Sequence, residues 1–172
     1  YRCWYGINNG NRSDSDETKK DTEAKKIHFI LGESLESKRI IENVINNCGV
    51  VLTRAWASAF DYKLFTEVFS ENSKYMTVHQ AKGLEWDKVI VSLTPTNRDE
   101  INISDVFSNP LLTAESSSNE FVRMYYVACS RAREDLYIHI PSGCSKDVII
   151  YSLDTYIQNT GCSLKYEFLL IE

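Results

Sequence analysis

The sequence predicts an α/β domain, a parallel sheet with helices on both of its faces. Short, wholly apolar runs such as IHFIL, GVVLT and KVIVSL read as strands buried on both sides. Between them lie segments whose apolar residues recur at helical spacing. The two patterns alternate along the chain, the order expected of strands joined by helical crossovers.

Ile27–Leu31 is the first strand, stopped by Gly32. Ser34 is placed to cap a helix whose inward face is Ile41, Val44 and Ile45, with Ile40 alongside. Asn47 and Gly49 are expected to end that helix in the left-handed conformation such ends favour. GVVLT is the second strand; Trp56, Phe60, Leu64 and Val68 then mark a helix with an apolar stripe. Tyr75–Val78 and Lys88–Leu93 are the third and fourth strands. Thr94–Ser118 is polar, carries Pro95 and Pro110, and reads as a long connection. Ser117 with Glu120 resembles a capping box, opening a helix that buries Phe121, Met124 or Tyr125, and Ala128. A strand at Leu136–Ile140, a helix over Lys146–Ile157 and a strand at Leu164–Leu170 complete the order. Residues 1–26 are expected to be a largely flexible N-terminal segment, because Asn8–Lys26 has almost nothing apolar to bury. Residues 27–172 are expected to form one domain.

Composition narrows the function classes. The chain has 172 residues, enough for one sizeable core. Its formal net charge is −5, so bulk charge does not make it a duplex-wrapping protein, and any nucleic-acid contact must come from a local patch. Cys3, Cys48, Cys129, Cys144 and Cys162 include no C-x-x-C pair, and His28, His79 and His139 are scattered, which argues against a zinc site. The odd cysteine count, with no secretory leader, points to reduced thiols and an intracellular protein in cytoplasm, nucleoid or nucleus. No apolar run reaches the ~20 residues needed to cross a bilayer, so no membrane partner is expected.

Three segments carry the chemistry. In TVHQAKGLEWDKVIV a strand ends and a polar loop follows. Thr77 and His79 can donate to phosphate oxygens, Gly83 lets a phosphate approach the backbone, and Glu85 can accept from a ribose hydroxyl. In EFVRMYYVACSRAR, Arg123 and Arg131 lie about two turns apart on one helical side. Arg131, just before a strand, suits a group reaching across a cleft to a triphosphate, because a guanidinium stays charged and forks onto phosphate oxygens. Arg54 in VVLTRAWASA follows a strand and reads as a second cation aimed at the same phosphates.

The order VLTRAWA, TVHQAKGLEWDKV, RMYYVACSRA resembles motifs IV, V and VI of the UvrD/Rep/PcrA helicases of superfamily 1, over roughly Ile27–Ile140. Tyr1-Arg2-Cys3 also resembles the family's upstream NYRS element. The resemblance implies a second RecA-like motor domain, a P-loop NTPase-type fold lacking the phosphate loop. It implies that Arg54 and Arg131 are catalytic and bind ATP at the γ-phosphate, and that Glu85 holds its ribose. Thr77, His79 and Gly83 would lie near single-stranded DNA, and Arg123 would couple the two sites. Implied partners are single-stranded DNA, the first RecA-like domain of the same polypeptide, and DNA repair or recombination proteins.

The departures concern polar detail. Glu120-Phe121-Val122-Arg123-Met124 stands where the family often has E-E-R-R-L, Ser130 replaces the common threonine, and Arg54-Ala55-Trp56 replaces R-T-N. The interval between Arg54 and Thr77 is too short for the large extra domain usual there, as in RecD-like C-terminal domains. Neither G-x-x-x-x-G-K-[ST] nor D-E-x-Q-D occurs. ATP and Mg²⁺ are therefore expected in the full-length enzyme, with Mg²⁺ held by the first motor domain, and the fragment alone is expected to be inactive. The alternative is a helicase-like domain that binds nucleic acid or a partner without hydrolysis; a phosphate loop preceding Tyr1 decides between them. Each residue also has a plain reading. His79 is a satisfied loop histidine, Arg131 a cation at a helix end, Trp56 and Trp86 core, and Tyr125-Tyr126 packing.

Overall fold

The computed structural model describes residues 26–54, 75–108, 119–161 and 163–172. These hold six strands in one all-parallel sheet. The strands are β1 (Lys26–Leu31), β2 (Gly49–Thr53), β3 (Tyr75–Thr77), β4 (Trp86–Ser92), β5 (Ala132–Ile140) and β6 (Lys165–Ile171), in the order β3-β2-β4-β5-β1-β6. The helices are α1 (Leu35–Asn46), α2 (Ile103–Ser108), α3 (Glu120–Cys129) and α4 (Lys146–Thr160). The helix expected around Trp56–Val68, the capping serine Ser117 and the N-terminal segment to Lys25 lie outside the described residues.

Alternation along the strands sends side chains to two separate cores. Ile30, Val51, Ile90 and Tyr137 meet Ile41, Val44 and Ile45 of α1 on one face. Ile27, Phe29, Val50, Leu52, Val89, Val91 and Ile138 meet α2, α3 and α4 on the other. Helices thus cover both faces, as the apolar runs require. On the second face Phe107 stands edge-on to Tyr125, with centroids 5.7 Å apart, and both are fully buried. Truncating either to alanine is expected to cost about 3–5 kcal/mol.

Several boundaries differ from the sequence expectation, each for a local reason. Ser34 does cap α1, accepting from the amides of Glu36 and Ser37. The left-handed residue after α1 is Cys48, with φ 66°, rather than Asn47 or Gly49. Gly49 is needed for space instead, since a Cβ there would meet the Val44 carbonyl oxygen at 2.6 Å. The cap of α3 is Asn119, whose side-chain oxygen accepts from the amides of Phe121 and Val122, so the helix opens at Glu120. The polar connection after β4 holds the short helix α2, which buries Ile103, Val106 and Phe107.

Candidate functional site

A parallel sheet has two unlike edges, and the singled-out residues divide between them. Arg54 follows β2 and sits at the carboxyl edge, where Thr53 pairs with Ser92. Glu85 precedes β4 and Arg131 precedes β5, so both sit at the amino edge, where Trp86 pairs with Ala132. The two levels are separated by the length of β4, about 20 Å at strand rise. The expectation that Arg54, Glu85 and Arg131 share one edge is therefore corrected, as is the expectation that all motif residues follow strand ends. The cause is topological. Residues 78–85 are a crossover that leaves the carboxyl end of β3 and returns to the amino start of β4, so a motif begun at one edge finishes at the other.

At the amino edge the Trp86 amide donates to the Arg131 carbonyl at 3.1 Å, which places Glu85 beside Arg131. The Arg131 guanidinium is folded back on the end of α3. Its Nε donates to the Val127 carbonyl at 3.1 Å, Nη2 to the Ser130 hydroxyl at 3.0 Å, and Nη1 to the Leu84 carbonyl at 3.5 Å. The Ser130 hydroxyl itself donates to the Val127 carbonyl at 2.8 Å, so the hydroxyl that replaces a threonine is in use. These partners are neutral. Among the described residues no carboxylate pairs with Arg131, whose positive charge is uncompensated. Leu84, next to Glu85, is 46% exposed.

Arg54 is held differently. It makes a two-pronged ion pair with Asp99, Nη1 to Oδ2 and Nη2 to Oδ1, the latter at 2.8 Å. Its guanidinium also lies 5.8 Å from the centroid of the Phe121 ring, within cation–π range. Thr96 supplies its hydroxyl to Asp99 Oδ2 at 2.8 Å. The guanidinium beside it holds the Asp99 carboxyl well below the usual carboxylate range, and the carboxylate raises Arg54 in return. Arg54 is thus ion-paired within the fold and stands at the opposite edge of the sheet from Arg131. The sequence reading missed Asp99, which lies in the stretch read only as a connection; its one signal was Thr96 spaced as a turn cap before it.

Between the two edges a groove of about 320 Å³ runs along α3, walled by the turn after β3. Val78, Met124 and Val127 make its apolar floor, with His79, Lys82, Arg123 and Glu120 on the rim. It brings His79 and Arg123 together and adds Lys82, which the sequence reading passed over. Among the described residues neither Lys82 nor Arg123 is ion-paired. Thr77 does not join the rim. It is 8% exposed, and its hydroxyl and amide both donate to the Gln80 side-chain oxygen at 3.1 Å. Its hydroxyl also accepts from the Gln80 amide at 3.3 Å. Thr77 thus ties the turn rather than offering a donor outward. Gly83 is exposed with φ 83°, and a Cβ there would meet nothing within 4 Å. Backbone conformation, not crowding, explains that glycine.

The remaining titratable groups take plainer roles. His28 is bonded to Glu167 at 2.6 Å and stacked on Tyr137. His139 is buried between the Ser92 hydroxyl at 2.9 Å and the Gly32 carbonyl at 3.0 Å. The carbonyl can only accept, so Nε2 carries the proton and Nδ1 accepts from Ser92. Burial lowers the His139 pKa, and the ring is neutral. Burial pushes the Cys144 thiol up to about 11. Among the described residues no group of three His, Cys, Asp or Glu side chains is placed to hold a metal ion. No helix among them is long and apolar enough to cross a membrane. Trp86 is half-buried against the α3 core, and Tyr125 is fully buried, as their packing readings had it.

Residues 65–143 match the family described as the UvrD-like helicase C-terminal domain. The matched stretch includes Thr77, His79, Gly83, Glu85, Arg123 and Arg131, and leaves Arg54 outside. The match covers the stretch whose motif order carries the resemblance, and the all-parallel sheet with helices on both faces agrees with a RecA-like class: residues 65–143 are similar to a UvrD-like helicase C-terminal domain. No curated protein matches it.

Proposed function

We propose that this UvrD-like helicase C-terminal domain is the second motor domain of an ATP-dependent DNA helicase or translocase, meeting its nucleotide at the amino edge of the sheet. One observation carries the reading: Arg131, whose guanidinium forms no ion pair among the described residues, lies next to Glu85 along the amino edge, where β4 and β5 begin. These residues fit one side of a nucleoside triphosphate. Arg131 would bind the γ-phosphate and stabilise charge as the phosphoryl group leaves, and Glu85 would accept from the ribose hydroxyls. Mg²⁺, which neutralises the β- and γ-oxygens when bound, has no ligand cluster among the described residues and is assigned to the first motor domain. Leu84, exposed at the same edge, would pack against that domain.

The single strand would lie in the groove along α3. Its apolar floor suits nucleobases, and Lys82, His79 and Arg123 suit the phosphates between them. Arg123 at the start of α3 and Arg131 just past its end would link the strand to the nucleotide through one rigid helix. Arg131→Ala in the full-length enzyme tests the reading. DNA-stimulated ATP turnover is expected to fall by about 10³ or more, while the thermal midpoint stays put. Unchanged turnover would refute it.

A further inference from the structure

Arg54 is ion-paired within the fold, and its contacts join the two segments that wall the groove, the turn after β3 and the start of α3. Its backbone belongs to one wall: the carbonyl of the preceding Thr53 accepts the Val78 amide at 3.0 Å, where the turn after β3 begins. Its side chain belongs to the other wall. There it forks onto Asp99 and lies over Phe121 in the first turn of α3. Asp99 is itself fastened to that helix, because its carbonyl accepts from the side-chain amide of Asn119, the cap of α3, at 2.6 Å. The pair is well shielded by its own partners, with side-chain exposures of 30% for Arg54 and 7% for Asp99.

We infer that Arg54 and Asp99 form a positioning clip that sets the spacing of the groove walls and thereby the grip on the nucleic-acid strand. The clip rests on the reading of the groove as the strand path. It touches neither strand nor nucleotide; it acts through the placement of Arg123 and Glu120 opposite His79 and Lys82. Charge and fork geometry both matter. Lysine at 54 would keep the charge but only one of the two parallel bonds.

The test uses the full-length protein, with a fluorescein-labelled oligothymidylate as the strand, and measures both binding and ATP turnover. Arg54→Ala and Asp99→Asn are each expected to weaken strand binding about tenfold, as loss of one charge-assisted contact would. Turnover at saturating strand and the KM for ATP should stay within about twofold of wild type, a split that general loosening of the domain would not give. Arg54→Lys should restore part of the binding. Should Arg54→Ala fold poorly, Asp99→Asn and Arg54→Lys decide. Strand binding unchanged in these variants overturns the clip, and so does a loss confined to KM for ATP or turnover. Weakened binding here, alongside unaltered turnover in Arg131→Ala, would sink the motor reading and leave the clip standing. The opposite pattern would sink the clip alone, and a full-length protein that does not bind the strand overturns both.

Discussion

The two edges of this sheet treat the same residue type in opposite ways. At the carboxyl edge Arg54 meets a carboxylate and a ring, and its charge is neutralised inside the fold. At the amino edge Arg131 meets only carbonyls and a hydroxyl, which satisfy its donors and leave its charge intact. Both arginines stand next to strands, and both looked alike in sequence. What separates them is a partner more than forty positions along the chain in one case and none in the other. An arginine kept hydrogen-bonded but unneutralised is stored ready for an anion, whereas one forked onto a carboxylate is already structural.

The strongest way to break this contrast is to compare the two alanine variants in the full-length enzyme. Arg131→Ala should lower strand-saturated ATP turnover by about 10³, and Arg54→Ala by less than about twofold. Equal losses would mean that both arginines serve one site after all. Stability should show the reverse ranking. Asp99→Ala unties Arg54 and Thr96 while leaving the backbone carbonyl that holds Asn119, at an expected cost of about 1–2 kcal/mol in urea unfolding. That lies between exposed and fully buried pairs, because water screens a pair at the periphery. Arg131→Ala should move stability by no more than about 0.5 kcal/mol.

The carboxyl edge also carries a titration signature. Asp99 is depressed in the fold, so its contribution is complete above the ordinary aspartate value of about 4 and is lost as pH falls through it towards the folded value. The stability gap between wild type and Asp99→Asn should stay constant from neutral pH to about 5, then narrow below about 4. His139 is depressed by burial, so the unfolded chain takes up its proton first as pH drops. Wild type should lose more stability than His139→Gln as pH falls from 7 to 5.5, the loss beginning near the ordinary histidine value of about 6.5. An identical slope in both proteins would remove His139 from the account. A further effect belongs to the crossover between the edges. Gly83→Ala should cost about 1 kcal/mol, for its positive φ alone, since space is open around it.

Much of this fold was legible because buried parallel strands announce themselves. IHFIL, GVVLT and KVIVSL fall within or across β1, β2 and β4, and the α1 face Ile41, Val44 and Ile45 is buried as its spacing demands. Strand starts were less legible. β5 begins at Ala132 rather than Leu136, because its first residues, Arg133 to Asp135, are polar and exposed or half-exposed while still in the ladder. His79, Arg123, Glu85 and Arg131 were singled out by motif order, and the structure places the first two along a groove and the last two at the amino edge. Asp99 and Lys82 were not found. An ion pair between a strand end and a distant turn leaves no periodic trace, and a lysine on a loop is indistinguishable from a solvated one. The turn-closing bonds of Thr77 were not foreseen, because a hydroxyl that closes a turn and one that faces solvent look the same in a string of letters.

The ten residues of α3 make a rod of about 15 Å, nearly the depth of the sheet beneath it. Phe121, Tyr125, Ala128 and Cys129 seat it against that sheet along its whole length. It therefore cannot tilt at one end and stay still at the other. Substitutions in its underside, such as Ala128 to a larger residue, are expected to degrade both ends together without contacting any ligand. Lesions of that kind would present as lost communication, not lost affinity or lost chemistry.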